Sequence, residues 1–182
     1  MEKRIKPKKI ALVYCRGRER TTKELEQTVV ADNCAQALEA FPDGIFTCEK
    51  GCLGFGSCVS ACRLGAISMN QFGTAEVDSS KCVGCGLCVK ACPKGIIHML
   101  PPEYSIMPRC SNEDIGAAAK NACKVSCIAC RLCVKNCPVD AIEIIDNCAR
   151  INLARCVMCG MCTTKCPRKT IIDADGIFTD LF

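Results

Sequence analysis

Apolar positions in this chain come in short runs separated by polar loops that carry glycine and proline. Ile10 to Tyr14 (IALVY) is an aliphatic run of strand length. Lys23 to Phe41 holds enough Glu, Leu, Val, Ala and Gln to predict a helix, which Pro42-Asp43-Gly44 stops. Further on an apolar pair recurs four times, as Ala66-Ile67, Ile96-Ile97, Ala141-Ile142 and Thr170-Ile171, and each pair opens a predicted short strand. Cys88 to Cys92 and its equivalents predict short helices. Pro101, Pro102 and Pro108 mark a linker, and GAAAKNA at 116–122 predicts a helix after it. No apolar stretch approaches the length of a membrane span.

Composition changes this picture. The 182 residues include 21 cysteines, and hydrophobic residues, 49% with cysteine counted, fall to about 37% without it. Two Tyr, six Phe and no Trp leave few large side chains for a core. A chain short of core needs covalent or metal staples, and the cysteines are the candidates. Met1 to Lys9 (MEKRIKPKK) is basic, and the apolar run after it is too short for a signal peptide. An odd cysteine count, with many cysteines three residues apart, argues against a closed set of disulfides and for metal-bound thiolates in a reducing cytoplasm.

Three segments read C-x2-C-x2-C-x3-C-P without deviation: Cys82, Cys85, Cys88, Cys92 with Pro93; Cys127, Cys130, Cys133, Cys137 with Pro138; Cys156, Cys159, Cys162, Cys166 with Pro167. This is the bacterial ferredoxin run, in which three thiolates of a tight loop hold one [4Fe–4S] cluster and the fourth serves another. Structural zinc sites use pairs of C-x2-4-C knuckles with a longer spacer and do not need this run. A fourth copy emerges on self-comparison. Residues 48–67 match 123–142 at seven of twenty positions, and residues 82–97 match 156–171 at eight of sixteen, so a two-motif unit is duplicated at offsets of 75 and 74. Where the second unit has Cys130, the first has Phe55, which cannot ligate iron.

Cys48, four residues before Cys52, is the expected substitute, in a widened C-x3-C-x5-C loop. A three-iron cluster or an empty place is the alternative. The crossover rule then predicts four clusters. One lies on Cys48, Cys52, Cys58 and Cys92, and a second on Cys62, Cys82, Cys85 and Cys88. The third lies on Cys127, Cys130, Cys133 and Cys166, and the fourth on Cys137, Cys156, Cys159 and Cys162. The site beside Phe55 is expected to lie at an end of the series. Cys15, Cys34, Cys110, Cys123 and Cys148 are left over and read as small buried apolar residues, with an extra cluster or substitute ligation as the alternative. Cys34 and Cys110 precede Cys48 and Cys123 by 14 and 13 residues.

The expected class is α+β, two tandem dicluster ferredoxin-like modules: a basic strand-helix cap over 1–47, a first module over 48–100, a linker with a short helix over 101–122, and a second module over 123–182. The formal charge of +5 counts every thiol as neutral. Four oxidised cubanes at roughly −2 each turn it into about −3. The chain shows no G-x-G-x-x-G and no P-loop, and its one histidine, His98, reads as a surface residue. The predicted function is relay of single electrons from a donor such as ferredoxin to a catalytic oxidoreductase subunit, with no catalysis on this chain. A free-standing ferredoxin-type carrier is the alternative. An iron–sulfur redox sensor is a weaker one, since the nine Lys/Arg of residues 2–23 lack aromatic interleaving or a helix-turn-helix and do not point to nucleic acid.

A broader pattern adds to this. ALVYC with Gly17, then Cys34-Ala-Gln-Ala, CEKGCLGFGSC, Cys110-Ser and ACKVSCIACRLCVKNCP resemble, in that order, the cluster-bearing part of the B subunit of Rnf-type ferredoxin:NAD oxidoreductase complexes. The resemblance runs from about Ile10 to Ile172, and GCLGFGSC is its most specific element. It implies a polyferredoxin that takes electrons from soluble ferredoxin and passes them inward. The membrane helix and C-x2-C-x4-C domain expected upstream in that family are not found here. The expectation is therefore a cytoplasmic electron-transfer subunit of an anaerobic oxidoreductase, without membrane insertion, beside a flavin-, tungsten/molybdenum- or NAD-dependent partner.

Overall fold

The computed structural model describes residues 9–24 and 29–178. Strand β1 (Ile10–Val13) is followed by helix α1 (Cys34–Ala40), whose first turn is capped by the Asn33 side chain accepting from the N–H groups of Ala35 and Gln36. Then come α2 (Ser57–Ser60), β2 (Ile67–Met69), β3 (Ala75–Val77), α3 (Leu87–Ala91) and β4 (Ile97–Leu100). The second half runs β5 (Ile106–Pro108), α4 (Gly116–Ala122), α5 (Leu132–Lys135), β6 (Ile142–Ile145), β7 (Cys148–Ile151), α6 (Met161–Lys165) and β8 (Ile171–Asp173). All four predicted short strands form at their apolar pairs, and the 116–122 helix forms over its predicted span.

The long helix expected from Lys23 does not form over its whole length. Residues 25–28 lie outside the described part, and helix begins only at Cys34. At its start the segment is paired instead: the Lys23 N–H donates to the Ile45 carbonyl at 3.0 Å, next to the Thr47 N–H that donates to the Thr21 carbonyl at 2.9 Å and the Thr21 N–H that donates to the Ala122 carbonyl at 3.0 Å. Long-range backbone pairing outweighs the helical propensity of a short segment that lacks a cap until Asn33.

Four two-stranded antiparallel sheets result, β1·β4, β2·β3, β5·β8 and β6·β7. β1 pairs with β4 in the register Val13↔Ile97, and β5 with β8 in the register Pro108↔Ile171. Both outer sheets thus cross the boundaries expected at 48 and 123, since a strand ahead of each pair of motifs closes that pair. Two apolar cores sit under these sheets. One gathers Ala11, Val13, Ile67, Ile96 and Ile97 with cysteines of the first half, the other Ile106, Ile142, Ala149 and Ile171 with cysteines of the second.

The halves are clasped together. The Arg109 Nε donates to the Val13 carbonyl at 2.6 Å, the Ser111 hydroxyl to that of Tyr14 at 3.1 Å, and Lys50 pairs with Glu113 at 2.9 Å. His98 lies on β4 with its ring 4.4 Å from that of Tyr14. Among the described residues no helix is long and apolar enough to cross a membrane.

Candidate iron–sulfur centres

Backbone geometry repeats with the cysteines. The residues on either side of the second ligand position have positive φ in all four motifs: Gly54 and Gly56 around Phe55, Gly84 and Gly86 around Cys85, Ala129 and Arg131 around Cys130, Met158 and Gly160 around Cys159. Left-handed residues alternating with right-handed ones curl the loop into a cup with its N–H groups turned inward, a shape that suits an anion. Gly160 is also crowded, because the Phe178 ring lies where a Cβ would stand. Three residues after each fourth cysteine the backbone is left-handed again, at Gly65, Gly95, Asp140 and Lys169. In three of the four turns a hydrogen bond closes the loop on the sulfur. Ala66, Ala141 and Thr170 donate their N–H to the Sγ of Cys62, Cys137 and Cys166 at 3.3, 3.2 and 3.3 Å.

The cysteines ring cavities. Cys127, Cys130, Cys133 and Cys166 line a small one. Cys62, Cys82, Cys85 and Cys88 line a larger one of about 230 Å³. Cys156 and Cys159 neighbour Cys162, whose thiol burial pushes up to about 12, and Cys137 packs against the same core. Among the described residues no three potential ligands converge closely enough for a single metal ion.

The first motif differs from expectation. Cys52, Cys58 and Cys92 line one cavity, and the fourth cysteine in its wall is Cys34. Cys48 lines a separate cavity with Cys15, Cys110 and Cys123. The structure therefore does not gather the widened loop expected on Cys48. The 52–58 loop keeps the same cup as its three counterparts, with half-buried Phe55 at the ligand position. Cys34 reaches it from outside the motif, at the capped start of α1, where its N–H donates to the Ser57 hydroxyl at 2.8 Å. This cavity adjoins the junction of the halves rather than an end, for the Cys52 N–H donates to Cys15 Sγ at 3.4 Å. The sequence signal for Cys34 is its place in Cys34-Ala-Gln-Ala, but no spacing rule connects a cysteine 18 residues upstream with Cys52.

Among the described residues two buried donors lack a partner, Asn112 Nδ2 and Arg168 Nε, and each residue lines a cysteine cavity, the first with Cys110 and Cys123, the second with Cys127 and Cys166. An orphaned buried N–H costs about 1–3 kcal/mol. A sulfide or thiolate in the cavity supplies the missing acceptor. Burial pushes the thiols of Cys15, Cys48 and Cys58 up to about 12, so holding thiolates there requires a cation in the cavity. All-thiol donor sets, cups of N–H groups and orphaned donors therefore fit [4Fe–4S] clusters.

Cys148 is the buried apolar-type thiol that its sequence context suggests, fully enclosed on β7. Its hydrogen bonds to Cys110 and Cys127 hold those two thiols below their ordinary range and its own far above it. It stays protonated, and its single S–H, 3.2 Å from the Cys110 carbonyl, is shared among these neighbouring acceptors. Cys148→Ala should leave the iron content unchanged and move one cluster to a more negative potential, since a hydrogen bond to a ligand sulfur favours the reduced state. Iron analysis with a redox titration of the variant checks both parts.

Comparison with known proteins agrees with the geometry. Residues 46–99 and 81–141 each match a 4Fe-4S dicluster domain family, and residues 153–169 match a 4Fe-4S binding domain family. The chain is an α+β protein of tandem ferredoxin-like modules that carries several [4Fe–4S] clusters. More particularly, it is a polyferredoxin resembling the cluster-bearing part of the B subunit of Rnf-type complexes. It is 39% identical over 145 residues to the B subunit of the Na(+)-translocating ferredoxin:NAD(+) oxidoreductase complex of Acetobacterium woodii, covering 80% of this chain and 43% of that one. It is 42% identical over 146 residues to the B subunit of the proton-translocating ferredoxin:NAD(+) oxidoreductase complex of Clostridium ljungdahlii, covering 79% and 50%. With the B subunit of the ion-translocating oxidoreductase complex of Methanosarcina acetivorans it shares 36% over 145 residues, covering 80% and 54%. The chain thus spans about half the length of the curated relatives it matches.

Proposed function

We propose that this chain is an electron-transfer subunit, placed on the cytoplasmic side, that relays single electrons from a low-potential donor such as ferredoxin to a catalytic oxidoreductase partner. The observation that carries this reading is the unequal exposure of the cysteines. Cys85, Cys130 and Cys159, in the second, third and fourth motifs, are open to solvent. Each has exposed apolar neighbours, Val83 and Leu87 for the first, Leu132 for the second, Val157 and Met161 for the third. Apolar rims around an exposed ligand suit brief docking of a redox partner. Cys15, Cys34, Cys48, Cys52 and Cys58 are by contrast buried. Exposed ligands at three motifs and a buried stretch at the first motif and the junction describe a conductor that a donor and an acceptor can both reach from outside.

The ligand sets that support this reading are Cys34, Cys52, Cys58 and Cys92; Cys62, Cys82, Cys85 and Cys88; Cys127, Cys130, Cys133 and Cys166; and Cys137, Cys156, Cys159 and Cys162. Bound there, the clusters supply one-electron chemistry with little change of geometry. The protein's own contribution is to hold the thiolates, point N–H groups at their sulfurs and keep water out with Val13, Leu53, Met69, Ile96 and Ile171. The partner is of the oxidoreductase class that the relatives' names describe, with a flavin, tungsten/molybdenum or nicotinamide site of its own.

The test is rapid mixing of the anaerobically reconstituted chain with chemically reduced ferredoxin. Bleaching of the cluster absorbance within the dead time or in milliseconds is expected. No reduction by ferredoxin, with clusters demonstrably present, would overturn the reading.

A further inference from the structure

The cavity shared by Cys15, Cys48, Cys110 and Cys123 belongs to none of the four ferredoxin motifs. It is built twice over from the same half-site. The Tyr14 N–H donates to the Ile96 carbonyl at 2.8 Å, and the Arg109 N–H to that of Thr170 at 2.9 Å, so Cys15 and Cys110 leave equivalent strands at equivalent places. Cys15 Sγ then accepts the N–H of Cys52, and Cys110 Sγ that of Cys127, both at 3.4 Å. Cys48 and Cys123 complete the halves, each four residues before the same partners, Cys52 and Cys127. The pairing of Arg20 with Cys123, and the bond from Thr21 N–H to the Ala122 carbonyl, bring the two half-sites face to face.

We propose that Cys15, Cys48, Cys110 and Cys123 bind a fifth [4Fe–4S] cluster, two thiolates from each half, which joins the two dicluster modules into one conductor. Its cavity is the same size as those of two motifs. Three guanidinium-bearing residues, Arg16, Arg20 and Arg109, and no carboxylate line it among the described residues, as an anionic cluster requires. The unpartnered Nδ2 of Asn112, a residue only 2% exposed, lies in the same wall and gains a sulfur acceptor. Loading transfers a ready-made [4Fe–4S]2+ core, two ferric and two ferrous irons with four sulfides, from the thiolates of a small-molecule thiol. Four Fe–S bonds to that thiol break, four to the cysteines form, the four cysteine protons pass to the released thiolates, and the core keeps its oxidation state. This inference rests on the reading of the chain as an iron–sulfur relay and supplies the link that the four-cluster arrangement lacks, because Cys52 and Cys127 each touch it through one N–H to sulfur bond.

The experiment uses the full chain, reconstituted anaerobically with equal amounts of ferric and ferrous iron, sulfide and a small-molecule thiol, read by iron and acid-labile sulfide analysis and by native mass spectrometry. About twenty irons and twenty sulfides per chain, as five cubanes, are expected, against about sixteen for the motifs alone. Cys15→Ala and Cys110→Ala, one from each half, should each lower the count by about four while the electron paramagnetic resonance signals of the motif clusters persist. Four cubanes in the wild type overturn the inference, as does a single iron at the junction, about seventeen irons with sixteen sulfides, or a wild-type count in both variants. The wild-type mass decides the matter even where a variant fails to fold. Five cubanes that reduced ferredoxin cannot reduce would leave this site standing and overturn the relay. Absence of sulfide at every site would overturn both.

Discussion

Stripping iron from the protein under reducing conditions is expected to abolish its cooperative fold, with loss of the thermal transition and of protection from proteolysis. The reason lies in the cores. Cys15, Cys52, Cys58 and Cys88 stand among the ten buried residues of the first, and Cys110, Cys127, Cys133, Cys148 and Cys162 among the nine of the second. Aliphatic side chains alone leave the centre hollow. Without iron and sulfide to fill it, that centre leaves the flanking side chains without packing partners, a loss set against a whole stability of only about 5–15 kcal/mol expected of a domain. The strands are three or four residues long and paired in twos, too short to stand without what they cover. Circular dichroism with and without a ferrous chelator measures the effect. A chelated, iron-free chain that keeps a sharp transition within a few degrees of the holoprotein would contradict it.

How far this architecture can be read from sequence depends on the range of the interaction. Motif loops, the short helices after them and the strand at each apolar pair are local, set by cysteine spacing, left-handed positions and a β-branched residue or two, and they are legible. β3 and β7 are not, because Ala75–Val77 and Cys148–Ile151 carry only a weak alternation and take strand form by pairing with β2 and β6. The leftover cysteines escape for the same reason. Spacing puts Cys34 and Cys110 in equivalent places, 14 and 13 residues before Cys48 and Cys123. The fold instead makes Cys110 the counterpart of Cys15, through the matched β1·β4 and β5·β8 registers, and sends Cys34 to the first motif. Only strand pairing between segments far apart in the chain reveals that equivalence, and no local pattern encodes it.

The exchange at the first motif gives the sharpest test of the ligand assignment. Cys34→Ala should lose about four irons, the cluster held with Cys52, Cys58 and Cys92, or convert it to a three-iron form that loses about one. The double variant Cys34→Ala with Phe55→Cys should regain the full count. Rescue is expected because Gly54 and Gly56, with φ of 93° and 67°, hold residue 55 in the same cup that presents Cys85 between Gly84 and Gly86, at 74° and 75°. A thiol at 55 therefore needs no rearrangement of the loop, while the smaller side chain opens room where the half-buried ring stood. The rescued cluster should differ in potential from the native one, since replacing an aromatic ring with a ligand on the outer loop admits water to the sulfurs. Cys48→Ala serves as the contrast. It empties a different cavity, so adding Phe55→Cys to it should restore nothing. Rescue of Cys48→Ala by Phe55→Cys, together with a full iron count in Cys34→Ala, would return Cys48 to the first motif and remove Cys34 from it.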